Sequence, residues 1–132
     1  MPFGDPHGPW RLHDPQAAGS WFAPMARERV EVLALVYLGD AQQLLGMRHV
    51  RSLRRDQLDL PIRAIARDAL AFDAVGVLLA HNHPSGDPTP SDADREATRR
   101  LARALDPLGI RLLDHLVVAA RGITSFRSLG FL

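Results

Sequence analysis

The stretch that most limits the fold is AVGVLLA, residues 74–80. An apolar run with no polar alternation suits a strand buried on both faces at the centre of a sheet. Before it, LPIRAIARDALAF (60–72) places Ile62, Ile65, Ala66, Leu70 and Phe72 at helical spacing, with Arg63 and Arg67 exposed. After it, a helix begins near Pro90–Ser91 and carries Ala97, Leu101, Ala104 and Leu105 on one stripe until DPLG ends it. IRLLDHLVVAA (110–120) then reads as another strand. Strands alternating with helices predict a single α/β domain, a mixed sheet flanked by helices.

The earlier chain extends this sheet. VEVLALVYL (30–38) is β-branched and aliphatic, GDAQ is a turn, and QLLGMRHV (43–50) returns as its antiparallel partner. Asp14 followed by Pro15 is a helix start, with a capping side chain and a preset φ, and Pro24 cuts that helix short. Residues 1–13, with three prolines and two glycines, read as a flexible lead-in to a domain spanning 14–132. RGITSFRSLGFL reads as a closing turn with a terminal packing segment.

Composition removes several functions. There is no cysteine, hence no disulfide, thiolate zinc site or cysteine nucleophile. The net charge of +1 gives no bulk attraction to nucleic acid or membrane. Neither a signal peptide nor an apolar run near the ~20 residues of a membrane span is seen, so a cytoplasmic location is expected.

Directly after the central strand comes HNHPSGDPTPSDAD (81–94). Residues at i and i+2 on an extended segment point to one side, so His81 and His83 can converge, and open α/β sheets bind ligands at this end of their strands. Ten residues separate His83 from Asp94 in the first turn of the next helix, with three prolines and one glycine to fold the loop back. Two imidazoles and a carboxylate form a three-ligand zinc set with one position open to water. A plainer reading also holds: Ser91 and Asp94 form an S-x-x-D capping box, which alone accounts for both as helix-start chemistry. The two roles are compatible.

This segment resembles the His-x-His-Pro…Ser-x-x-Asp signature of the JAMM metalloproteases, which have the JAB/MPN fold with a cytidine-deaminase-like α/β/α architecture. HNHPSG is most similar to the RadC branch, and the resemblance extends over about residues 28–132, through LDHLVV and SFRSLGF. It implies that His81, His83 and Asp94 hold Zn2+, and that Ser91 stabilises the oxyanion of a tetrahedral intermediate. It also implies an upstream glutamate as general base for the zinc-bound water, which is Glu31, with Glu28 as fallback. The expected activity is amide or isopeptide hydrolysis, with a peptide or isopeptide-linked protein as substrate. The alternative is a DNA-repair-associated accessory or binding protein that keeps its zinc with little turnover. Two departures from RadC proteins bear on this. The helix-hairpin-helix module common there has no room in this chain, and GMRHVRSLRRDQLDL lacks the usual Gly-Thr and Pro-Arg-Glu wording.

Other features carry less. Asp114–His115 supplies support for the metal ligands, lines a groove, or is a satisfied buried pair. Asn82 and Asp87 are expected to shape the motif loop. Arg48, Arg51, Arg54 and Arg55 form a basic cluster without interleaved aromatics, which weakly supports nucleic-acid contact. The adjacent HNH is not the dispersed HNH nuclease motif. Zinc nucleobase deaminases need cysteines this chain lacks, and H-E-x-x-H is absent.

Overall fold

A computed structural model describes residue 19 and residues 21–51 and 60–132. The lead-in, the helix start at Asp14–Pro15, and Arg54 and Arg55 lie outside the described residues. Five strands form one sheet: β1 (Val32–Leu38), β2 (Leu44–Arg51), β3 (Gly76–Asn82), β4 (Arg111–Ala119) and β5 (Gly122–Ser125). Their order is β2-β1-β3-β4-β5. The pair β3–β4 is parallel and the other three pairs are antiparallel, so the sheet is mixed as expected. The crossover between β3 and β4 contains helix α2 (Asp92–Leu105), and helix α1 (Ile62–Ala71) precedes β3. β5 was not foreseen. It forms because the chain turns back at Ala120–Arg121 and pairs Ile123 with Val118 and Ser125 with Leu116.

β1 and β3 are buried along their whole length, which explains why neither shows polar alternation. The two sheet faces fill separate cores. Leu33, Leu35, Tyr37, Val77 and Leu79 pack with Ile65 and Ala69 of α1 and Leu101 and Leu105 of α2. Val32, Ala34, Val36, Leu78 and Ala80 pack on the other face with Trp21, Phe22 and Met25. Trp21 and Phe22 are helical, and at Ala23–Pro24 the chain passes into a 3-10 turn, Ala23–Arg27, as a proline at that position requires.

The helices are secured differently. α1 has no side-chain cap and is tied to β2 by Arg48, whose guanidinium grips Asp68. Burial beside Asp68 pushes the Tyr37 phenol well above its usual range. α2 opens with the full capping box, Ser91 accepting from the Asp94 N–H while the Asp94 carboxylate accepts from the Ser91 N–H. Among the described residues no helix is long and apolar enough to cross a membrane.

Candidate metal centre

In β3 successive side chains leave on opposite faces, so His81 points toward α2 and Asn82 toward the segment before β1. The sequence places both histidines beyond the strand end; the structure corrects this for His81. Pairing continues through it, with Leu33 on one side and Val117 on the other, so His81 is a fully buried strand residue. His83 follows the strand, and its N–H still donates to the Val118 carbonyl at 2.9 Å. The two imidazoles meet with Nε2 to Nε2 at 3.0 Å.

The proline-rich loop then folds back. A tight turn joins His83 to Gly86, whose N–H donates to the His83 carbonyl at 3.0 Å and whose φ of 89° suits glycine. His83 Nδ1–H donates to the Asp87 carbonyl at 2.8 Å, which leaves Nε2 of the neutral ring bare and facing His81. Asp87 accepts from the Thr89 N–H and hydroxyl, so its loop-shaping role stands. At the α2 start, Asp94 Oδ2 lies 2.9 Å from the Ser91 nitrogen and 3.1 Å from His83 Nε2, and Oδ1 lies 3.5 Å from His81 Nε2. One carboxylate thus closes the capping box and joins both histidines. Ser91 Oγ accepts from the Asp94 N–H at 3.0 Å, which leaves its own proton available to donate.

Glu31 enters from the residue before β1. One carboxylate oxygen of Glu31 and a nitrogen from each of His81 and His83 all lie within 4.8 Å of one another, a group that can hold a metal ion. Glu28 is placed otherwise: its carboxylate faces Arg51 at 3.7 Å. The basic cluster is similarly engaged where it is described, Arg48 with Asp68 and Arg51 with Glu28.

Asn82 is the first residue whose role the sequence missed. It shapes no turn. Fully buried, it accepts from the Val32 N–H at 2.6 Å and donates to the carbonyls of Glu28 at 3.2 Å and Val30 at 2.9 Å. It therefore staples the segment carrying Glu31 to the strand carrying His81. Asn82→Ala leaves three backbone groups without this partner and is expected to cost about 2–3 kcal/mol in urea unfolding.

The Asp114–His115 pair divides. Asp114 turns away from the histidines and binds backbone and Ser125 on the other side of β4. His115 turns toward them: its Nε2 lies 2.6 Å from His81 Nδ1 and its Nδ1 lies 2.6 Å from Thr98 Oγ1. Phe126 stacks on the His115 ring with centroids 4.4 Å apart. Thr98 lies four residues after Asp94, the helical spacing that puts two side chains on one face, which is the signal that could have found it. Burial lowers the affinity of His81 and, more strongly, His115 for a proton. His83 goes the other way, raised chiefly by its contact with Asp94. Burial works against charge on Asp94, but His81, His83 and the Ser91 N–H together outweigh it and hold the carboxyl far below its usual range. The site thus gathers two imidazole nitrogens and two carboxylates around one point, a group that can hold a cation.

The RadC-like JAB domain family model matches residues 12–131 of this chain. The chain belongs to the RadC-like JAB family. The UPF0758 protein YfjY of Escherichia coli K12 is 41% identical over 118 residues, 89% of this chain and 74% of that protein. UPF0758 proteins of Symbiobacterium thermophilum and Xanthomonas axonopodis pv. citri are 42% and 38% identical over 122 residues, 92% of this chain and 52% and 54% of theirs. The chain spans about half the length of these last two relatives. Within this RadC-like JAB domain, the histidine pair, Asp94, Glu31 and the buried His115 form one continuous polar cluster between β3, β4 and the start of α2.

Proposed function

We propose that this RadC-like JAB domain is a zinc-dependent hydrolase of amide or isopeptide bonds, acting on peptides or isopeptide-linked proteins. The observation that carries the reading is the convergence of His81 Nε2, His83 Nε2 and the Asp94 carboxylate, separated by 3.0, 3.1 and 3.5 Å. Three ligands around a tetrahedral zinc at its usual bond lengths stand about 3.3 Å apart, so the donor set fits the ion with little movement. His81, His83 and Asp94 would hold the zinc, and when bound it supplies Lewis acidity that polarises a carbonyl and acidifies water.

The remaining chemistry falls to the chain's own groups. Glu31 takes a proton from the attacking water as the new C–O bond forms. Ser91 donates its hydroxyl proton in a hydrogen bond to the substrate carbonyl oxygen as that oxygen gains charge. Glu31 then gives its proton to the departing nitrogen as the C–N bond breaks. Asn82 keeps Glu31 at its station throughout.

Metal content by elemental analysis tests the reading. The purified chain is expected to hold about one zinc, the stoichiometry of a single three-ligand site, and His83→Ala and Asp94→Ala are each expected to lose it. A folded wild-type chain that takes up no zinc when supplied would overturn the proposal. Since His83 must shed its proton to ligate, and Asp94 raises its hold on that proton, zinc affinity should weaken as pH falls through the His83 titration. Chelator competition at a series of pH values measures this.

A further inference from the structure

We infer that Thr98 and His115 are positioning residues that hold His81 in one tautomer, protonated at Nδ1, with the Nε2 lone pair turned toward His83, Asp94 and Glu31. The consequence for metal binding rests on the zinc reading above; the tautomer itself follows from hydrogen-bond geometry together with the burial of His115. Thr98 Oγ1 lies 2.6 Å from the Asp94 carbonyl, which can only accept, so the hydroxyl proton is committed there. In its other contact, 2.6 Å to His115 Nδ1, that oxygen must therefore accept and Nδ1–H must donate. The His115 ring is fully buried between a hydroxyl and a second imidazole, where an imidazolium would be costly, so its Nε2 is bare. His115 Nε2 lies 2.6 Å from His81 Nδ1, and the proton in that bond belongs to His81. A neutral His81 then has its free lone pair on Nε2, the nitrogen that faces His83 at 3.0 Å.

Every link of this relay is buried, and Phe126, stacked at 25° on His115, fixes the plane of the middle ring. His83, when its ring is neutral, reaches the same state by another route, through Nδ1–H to the Asp87 carbonyl. One histidine is thus set by a loop and the other by a chain through the fold interior. Support of this kind around a metal-ligating imidazole typically changes affinity by about 10–100-fold when removed.

Thr98→Val tests it, since valine keeps the shape and removes the hydroxyl. His115 loses the acceptor for its Nδ1–H, both tautomers become open to it, and part of the population carries a proton on His81 Nε2, pointing into the site. Two readouts apply. Nitrogen-15 spectra of the imidazoles in zinc-free protein should show His81 protonated at Nδ1 in the wild type and Thr98→Ser, with an Nε2-protonated fraction in Thr98→Val. Zinc affinity by chelator competition should fall about 10–100-fold in Thr98→Val and be restored in Thr98→Ser. Wild-type His81 protonated at Nε2, or Thr98→Val binding zinc as tightly as wild type with an unchanged tautomer, would overturn the inference. If Thr98→Val does not fold, the wild-type spectrum decides alone. Wild-type His81 protonated at Nδ1 in a chain that takes up no zinc would support the relay while removing the hydrolase reading.

Discussion

Glu31→Gln is expected to slow hydrolysis of an isopeptide-linked substrate by about 10²–10⁴-fold, with zinc content unchanged. The amide matches the carboxylate in shape and has no basicity to take a proton from water. Its partners by position, His81 and His83, keep their own hydrogen bonds to His115 and Asp87, so the zinc donors stay in place. Glu28→Gln is the control: that carboxylate faces Arg51 at 3.7 Å, and its loss should change turnover little. Zinc content separates two roles for Glu31, because its carboxylate is close enough to both histidines to ligate. Loss of zinc in Glu31→Gln would make Glu31 a ligand; retained zinc with lost turnover makes it the base.

The second large effect is on stability. Asp114→Ala is expected to destabilise the fold by about 3–5 kcal/mol, because it strips three donors of their acceptor inside the protein. Asp114 Oδ1 accepts from the backbone N–H groups of His115 at 2.7 Å and Arg127 at 3.0 Å, and Oδ2 accepts from the Ser125 hydroxyl. Ser125 Oγ in turn accepts from the Ser128 N–H at 3.1 Å. The carboxylate thus fastens the turn after β5 to β4 and keeps Phe126 on the His115 ring. Such a loss is a large share of the ~5–15 kcal/mol by which domains of this size are stable. Chemical denaturation measures it, and a change below about 1 kcal/mol would mean that Phe126 packing and the hydrogen bonds to the His115 and Leu113 carbonyls hold this turn without the carboxylate.

How far the sequence could be read follows from the range of each interaction. The apolar run before His81, the proline-interrupted loop and the capping box at Ser91–Asp94 are local signals, and the structure has the tight turn and the α2 start where they point, with β3 shifted two residues onward to include His81 and Asn82. β5 was missed because RGITSFRSLGFL has little strand character of its own and pairs only because β4 lies beside it. Asn82 reads as a turn former because it lies in the motif segment that leads into Pro84 and Gly86, but its partners are about fifty residues upstream, at Glu28, Val30 and Val32. His115 could not be attached to His81 without the parallel register of β3 and β4, which sets Leu79 opposite His115 and brings the two rings together. The resemblance favours Glu31 over Glu28 as the base, and the structure places the first beside the histidines and the second against Arg51.

The alternation of β3 has a consequence for what the chain can tolerate. His81 and Asn82 are adjacent, yet one faces His83 and Asp94 and the other holds the segment that carries Glu31. A slip of β3 by one residue exchanges the two faces of a strand. It would turn His81 toward Trp21 and Met25 and send the amide toward Asp94, so the proposed donor and the proposed base would be misplaced together. Length changes should therefore be forbidden between Gly76 and His83, where the sheet acts as the ruler for both parts of the site. They should be borne far better in the exposed turn at Asp40–Gln42, where β1 passes into β2 and no ligand depends on the count.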